Sequence, residues 1–125
     1  MWGMLVLSHR GRGGARSAPD NTLAGFAGAA EVGFAGFETD VQCVADGSLV
    51  LYHDRTLADG TPVGRLTPAQ LRASTGIAVP SLTEALAAFP HHLWNLEIKD
   101  PVAVDRLQAA VPAGTRVLVS SFHHA

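Results

Sequence analysis

Apolar and polar positions repeat along this chain with two periods, one typical of strands and the other of amphipathic helices. Short apolar runs bounded by turn residues predict strands, and apolar residues three or four positions apart predict helices. The predicted strands are Leu5–Leu7, Phe37–Val44, Ser48–His53, Leu93–Ile98 and Arg116–Ser120. The predicted helices are Thr22–Val32, Thr67–Ala73, Ser81–Phe89 and Val102–Val111. Strands that alternate with helices in this way favour parallel βαβ units, so the pattern predicts an α/β fold.

Capping and turn residues indicate where several of the predicted helices and strands begin or end. Asp20 or Asn21 is expected to cap the first helix, and Gly33 is expected to end it. Asp46-Gly47 is a strong signal for a tight turn, so the second and third predicted strands are expected to form a hairpin inserted into the βαβ order.

The composition is that of one globular domain, which we assign to residues 1–125. Apolar residues make up 47% of the chain and charged residues 16%, which argues against disorder. The net charge is −2 and the basic residues form no long run, so neither nucleic acid nor an anionic membrane is an expected partner. No apolar run approaches the roughly 20 residues of a membrane span. Cys43 is the only cysteine, which is compatible with a reducing compartment, and we expect a cytoplasmic protein.

Acidic residues interrupt two of the predicted strands. Side chains alternate across a strand, so Glu38 and Asp40 share one face of the second strand, and Glu97 and Lys99 share one face of the fourth. Adjacent acids are costly to bury unless a cation neutralises them, and carboxylate oxygens suit Mg²⁺ or Ca²⁺. Each pair alone is explained as well by a half-exposed strand or an ion pair. At the carboxyl ends of parallel strands, however, the two pairs would converge where barrel enzymes carry out chemistry.

Two histidines also lie at predicted strand ends. His9 follows the first strand directly, and His53 ends the hairpin strand. Imidazole is available in both protonation states near pH 7, which suits a general acid or base, although a lone histidine at a strand end is usually structural or exposed. The remaining histidines are interpreted as solvated and non-catalytic; they are His91, His92, His123 and His124.

Basic residues cluster in the glycine-rich stretch that follows the first strand. Arg10, Arg12 and Arg16 lie there, and the cluster suits a small anion as well as it suits a solvated loop. A dinucleotide-binding loop is excluded, because Gly11–Arg16 breaks the G-x-G-x-x-G pattern at its last position and no G-K-[ST] follows.

Eight short motifs follow one another along nearly the whole chain. They are His9-Arg10-Gly11, Pro19-Asp20-Asn21-Thr22, Glu38-Thr39-Asp40-Val41, Asp46-Gly47, His53-Asp54, Pro80-Ser81-Leu82, Glu97-Ile98-Lys99 and Ser120-Ser121-Phe122. No single motif is specific, but the ordered set closely resembles the glycerophosphodiester phosphodiesterase family. That family usually has Glu where Asp20 stands, so a contact made by this shorter side chain is expected to be weaker. The loop from Arg12 to Ala18 also looks longer than is usual in the family.

The resemblance implies a (β/α)8 barrel of the TIM type. It also implies that a divalent metal, Ca²⁺ or Mg²⁺, is bound by Glu38, Asp40 and Glu97. A full barrel takes about 250 residues, so this chain would hold about the first four β/α units. An incomplete barrel leaves strand edges unpaired, and we expect self-association through these edges.

The resemblance further implies roles for four residues around the metal. His9 and His53 would form the acid–base pair, with the acid and the base left unassigned, and Arg10 and Lys99 would contact the phosphate. The implied reaction is hydrolysis of a glycerophosphodiester to glycerol 3-phosphate and an alcohol. Two alternatives stay open: an inactive fragment or non-catalytic remnant, and another metal-dependent barrel phosphodiesterase, related to phospholipase D-like toxins or phosphoinositide-specific lipases.

Overall fold

The computed structural model describes residues 4–15 and 17–121 of the chain. Its strands are β1 Leu7–His9, β2 Gly36–Cys43, β3 Leu49–Leu51, β4 Leu93–Ile98 and β5 Val117–Ser121. Its helices are α1 Leu23–Glu31, α2 Pro68–Thr75, α3 Leu82–Ala88 and α4 Pro101–Ala110. Every predicted strand and helix is present, and each limit lies within two residues of the predicted one. A short 3-10 helix, Val63–Arg65, occupies a predicted loop.

The strands form one sheet in which β1, β2, β4 and β5 are neighbours in that order and run parallel. β3 pairs antiparallel with the far end of β2, as the predicted hairpin requires. The register places His9 beside Glu38 and Asp40 beside Glu97. Parallel strands joined by helices confirm the predicted α/β fold. We call the sheet of β1, β2, β4 and β5 the wall.

Helices α1, α3 and α4 cover one face of this wall and bury the main core. Phe26, Phe37 and Trp94 are fully inaccessible to solvent, and their ring centroids lie 4.8–5.0 Å apart in tilted and edge-on pairs. The buried Trp94 indole is satisfied because Nε1 donates to the Phe89 carbonyl at 3.3 Å. Since side chains alternate along β2, Glu38 and Asp40 point to the face opposite Phe37 and Val41.

The segment between β2 and α3, residues 44–81, is an insertion with a small core of its own. Val44, Val50, Val63, Leu71 and Val79 form this second apolar cluster. β3 joins the two cores, because its outer residues pack into the main core while its central residue packs into the small one.

The hairpin strand ends at Leu51, two residues earlier than the sequence predicts. The buried amide of Gln42 donates to the carbonyls of Tyr52 and Asp54, each at 2.7 Å. The Tyr52 N–H still donates to the Asp40 carbonyl at 3.1 Å, so backbone and side-chain hydrogen bonds together hold the segment that carries His53.

The predicted cap of the first helix is wrong. The Thr22 hydroxyl caps α1 by accepting from the Gly25 N–H at 3.2 Å, whereas Asp20 and Asn21 make other contacts. Asn21 is buried with a left-handed backbone, at φ 60°, which removes it from the extended conformation that a cap requires. Gly33 ends the helix as predicted, with φ 97°.

The interpretation of the loop histidines as solvated fails for one of them. His92 is half-buried and stacks on Phe37, with ring centroids 5.1 Å apart. His91 is exposed as expected, and His123 and His124 lie outside the described residues.

Apolar side chains are exposed at both edges of the described sheet. Leu118 and Val119 of β5 point to opposite faces and are both more than half exposed, and Met4 and Leu5 are exposed ahead of β1. Among the helices in the described part of the chain, none is long and apolar enough to cross a membrane.

Candidate active site

Three carboxylates meet on the face of the sheet that lies opposite the helices. Glu38 and Asp40 are two positions apart on β2, and Glu97 is the register partner of Asp40 on β4. One oxygen of each residue lies within 4.8 Å of the other two. The Asp40 side chain is inaccessible to solvent, and those of Glu38 and Glu97 are only 17% and 13% exposed. The structure thus brings together the three acids that the sequence singled out.

Several oxygens of this acidic cluster have unmet bonding capacity. Both carboxylate oxygens of Glu38 and Oδ1 of Asp40 are buried without a hydrogen-bond partner among the described residues. His9 Nε2 lies 2.9 Å from Oε2 of Glu38, but the two groups are not aligned for a hydrogen bond. Buried carboxylates in this condition are costly unless a cation neutralises them. Clustered oxygen ligands of this kind fit a hard divalent ion such as Mg²⁺ or Ca²⁺.

The crowding of the acids shifts their protonation equilibria. Burial, followed by the charges of Asp40 and Glu97, raises the pKa of Glu38 from 4.5 to about 7. Burial also raises the pKa of Glu97, and its contact with Asp40 adds to that effect. Near neutral pH Glu38 is therefore partly protonated, and a divalent cation would have to displace that proton.

Two basic side chains border the acidic cluster. Lys99 Nζ lies 3.3 Å from Oδ1 of Asp40 and 3.8 Å from Oε1 of Glu97. Arg10 Nε lies 3.3 Å from Oδ2 of Asp40. Arg10 directly follows β1, and Lys99 directly follows β4. The Arg10 N–H donates to the Glu38 carbonyl of β2 at 2.7 Å, and the Lys99 N–H donates to the Val41 carbonyl of β2 at 3.1 Å. The ends of β1 and β4 thus fix where the Arg10 and Lys99 side chains begin.

The two predicted histidines lie on different elements of the fold. His9 is the last residue of β1 and its ring contacts Glu38. His53 lies on the insertion, where Nδ1 is 2.7 Å from Oδ1 of Asp54. Arg10 and His53 line one open cavity of about 260 Å³. The structure therefore brings both histidines to the same side of the wall as the acids.

The glycine-rich loop holds an ion pair that the sequence reasoning did not specify. Arg12 forms a bidentate ion pair with Asp20, in which Nε donates to Oδ1 at 2.8 Å and Nη2 donates to Oδ2 at 2.5 Å. This hydrogen bonding lowers the pKa of Asp20, although burial opposes it. Arg10 Nη1 approaches the same carboxylate at 3.5 Å. Two members of the basic cluster are thus engaged by one acid, and Arg16 lies outside the described residues.

Asn21 is a site residue that the sequence reasoning missed. Its Nδ2 donates to Oδ2 of Asp40 at 3.0 Å, and its Oδ1 accepts from the Thr39 hydroxyl at 2.7 Å. A signal was present, since Asn21 belongs to one of the eight ordered motifs, but the capping preference of Asn offered a simpler explanation there.

Comparison with known proteins gives one family. A family model described as the Glycerophosphoryl diester phosphodiesterase family matches residues 9–122. The chain is 35% identical to a probable glycerophosphodiester phosphodiesterase 2 of Mycobacterium tuberculosis, covering 96% of this chain and 49% of that protein. It is 32% identical to a glycerophosphodiester phosphodiesterase of Caldanaerobacter subterraneus, covering 96% and 58%. The chain thus spans about half the length of the curated relatives it matches.

The chain also spans about half the length of the solved structures that it matches. A glycerophosphodiester phosphodiesterase from Thermotoga maritima superposes with a TM-score of 0.82 at 28% identity, covering 98% of this chain and 55% of that one. An Oleispira antarctica phosphodiesterase in complex with the product sn-glycerol-3-phosphate superposes with a TM-score of 0.75 at 27% identity, covering 97% and 58%. The predicted fold, about half of a TIM-type barrel, is thereby confirmed.

Proposed function

The chain belongs to the glycerophosphoryl diester phosphodiesterase family, and from this premise we propose that it carries the metal-binding and acid–base residues of a phosphodiesterase site. The proposed reaction is metal-dependent hydrolysis of a glycerophosphodiester to glycerol 3-phosphate and an alcohol. The observation that carries the proposal is the buried acidic cluster with its unpartnered oxygens, bordered by two basic side chains and two histidines. The names of the relatives and the product bound by the Oleispira antarctica enzyme support the choice of substrate class.

In this proposal Glu38, Asp40 and Glu97 hold the divalent ion, Ca²⁺ or Mg²⁺. When bound, the ion supplies positive charge that polarises a phosphoryl oxygen. Arg10 and Lys99 lie within 3.3 Å of the Asp40 carboxylate and extend the positive potential along the rim of the acidic cluster. They would bind the non-bridging phosphate oxygens, where negative charge grows in the transition state.

The two histidines would move the protons. One accepts a proton from the nucleophile and the other gives one to the leaving alcohol oxygen. The contact with Asp54 favours the proton on Nδ1 of neutral His53 and leaves Nε2 as the atom that exchanges protons. His9 Nε2 lies 2.9 Å from Oε2 of Glu38, so this nitrogen borders the acidic cluster where the phosphodiester would bind.

The open edges of the described sheet lead to a second proposal, which concerns self-association. The family match over residues 9–122 supports one incomplete barrel domain over residues 1–125. β1 and β5 are the edges of the described sheet, and both carry exposed apolar side chains. We expect purified chains to associate through these edges, because an open parallel edge presents unpaired backbone groups. Sedimentation velocity at several concentrations measures this, and a monomer at all of them would contradict it.

One assay tests the proposed activity. Glycerol 3-phosphate release from glycerophosphocholine is measured for the 125-residue chain with and without Mg²⁺ or Ca²⁺. We expect metal-dependent release that His9→Ala abolishes and His91→Ala, a change at an exposed loop histidine, preserves. Because the chain spans about half the length of its relatives, a folded chain that binds metal without turnover would favour the alternative of a non-catalytic remnant.

A further inference from the structure

Asn21 occupies an unusual position beside the acidic cluster. It is only 2% exposed, and its backbone adopts the left-handed conformation, which asparagine tolerates better than most residues with a side chain. Its N–H donates to the Arg10 carbonyl at 2.8 Å, and Arg10 in turn donates to Glu38. These two backbone hydrogen bonds hold the loop of Asn21 against β2, and the Asn21 side-chain amide contacts that strand.

The orientation of the Asn21 amide is determined by its two partners. The Thr39 hydroxyl donates to Oδ1, which leaves Nδ2 to donate to the Asp40 carboxylate. The reversed amide would set its carbonyl oxygen against a carboxylate oxygen of Asp40, and two acceptors cannot bond to each other. Thr39, Asn21 and Asp40 therefore form a directed relay of hydrogen bonds, which we call the Thr39–Asn21–Asp40 relay.

The two carboxylate oxygens of Asp40 have different partners. Oδ2 is held by Asn21 and lies 3.3 Å from Arg10 Nε. Oδ1 is buried without a hydrogen bond among the described residues and lies 3.3 Å from Lys99 Nζ. The carboxylate is thus fixed through one oxygen while the other keeps its lone pairs for a cation.

We propose that Asn21 is a positioning residue that, through the Thr39–Asn21–Asp40 relay, holds Asp40 in the orientation that binds the divalent ion. This inference rests on the proposed metal site. Partners that hold a metal ligand in place are typically worth about 10–100-fold in metal affinity, so the role has a measurable size.

Calorimetric titration of the metal-free chain with Mg²⁺ and Ca²⁺ tests the role without relying on activity. Asn21→Gly removes the amide and keeps the left-handed backbone, which glycine adopts freely. We expect the dissociation constant to rise about tenfold or more while the circular dichroism spectrum stays native. An unchanged dissociation constant in a folded Asn21→Gly chain overturns the inference.

Thr39→Val separates the relay from a general effect of packing. Valine keeps the shape of threonine and removes the hydroxyl, so we expect a smaller loss of affinity than in Asn21→Gly. The double variant should bind no more weakly than Asn21→Gly alone, because the hydroxyl acts only through the amide. Thr75→Val is the matched control, since its hydroxyl bonds to the Leu71 carbonyl in α2, and it should leave affinity unchanged.

The outcomes distinguish this inference from the function on which it rests. Additive losses in Thr39→Val and Asn21→Gly would overturn the relay, and if Asn21→Gly fails to fold, unchanged affinity in Thr39→Val overturns it as well. A native wild-type chain that binds neither ion would overturn the proposed metal site itself. Weaker, non-additive binding in a native fold supports the relay.

Discussion

Replacing Glu38 by Gln should stabilise the metal-free chain at high pH. A carboxyl whose pKa is 4.5 in the unfolded chain and about 7 in the folded one costs up to about 3 kcal/mol when it is ionised. Glutamine keeps nearly the same shape and carries no charge, so it escapes this cost. Partial contact with solvent screens the charge of Glu38, so about 3 kcal/mol is an upper limit for this cost.

The sign of the pH dependence follows from which state holds the proton. Below pH 4.5 Glu38 is protonated in both the folded and the unfolded chain, and its burial carries no charge penalty. Between pH 4.5 and about 7 the unfolded chain releases the proton while the folded chain keeps it, so the free energy of unfolding falls as pH rises. Above about pH 7 the penalty is complete.

Urea denaturation across this pH range measures the effect. With metal removed by a chelator, the stability advantage of Glu38→Gln over wild type should grow from near zero at low pH to at most about 3 kcal/mol at pH 8. Glu31→Gln, at an exposed carboxyl on α1, controls for loss of a negative charge in general. Saturating Mg²⁺ should reverse the order at pH 8, because the ion stabilises only the chain that binds it.

A stability difference that is flat across pH would refute this reasoning. So would a metal-free Glu38→Gln chain that is less stable than wild type at pH 8. Either result would mean that Glu38 is not crowded by Asp40 and Glu97 in the way the geometry indicates.

Two further changes test neighbouring parts of the site. Lys99→Met removes a positive charge that faces Asp40, so Mg²⁺ should bind more tightly while glycerol 3-phosphate binds at least about tenfold more weakly, both by calorimetry; parallel weakening of both ligands would count against a phosphate contact. Gln42→Ala removes two buried hydrogen bonds to the His53 segment and should destabilise the chain by about 2 kcal/mol, with faster amide exchange in residues 52–54; exchange unchanged there would show that the amide does not hold the segment.

The parts of the molecule that sequence reasoning predicted are those that depend on local pattern. The periods of apolar residues set the order of strands and helices, and the alternation along β2 separated Glu38 and Asp40 from Phe37 and Val41. The convergence with Glu97 follows from parallel strands, because their carboxyl ends lie at the same edge of a sheet, and the structure adds that β2 and β4 are neighbours.

The parts that sequence reasoning missed depend on partners distant in the chain. Asn21 does not cap its helix because its amide is bound by two residues of β2, 18 and 19 positions away. The Gln42 side chain holds the segment that follows β3, and His92 is withdrawn from solvent by stacking on Phe37. No local propensity contains these contacts.

The separate core of the insertion divides the proposed chemistry between two cooperative units. The acids and His9 belong to the wall, whereas His53 lies at the edge of a unit stabilised by its own small cluster and connected through β3 and Gln42. Such units open with their own free energies, so the insertion can unfold locally while the wall stays intact. Opening would withdraw His53 and leave the proposed metal ligands in place, so changes in the insertion are expected to affect the proposed turnover more than ion affinity in this chain.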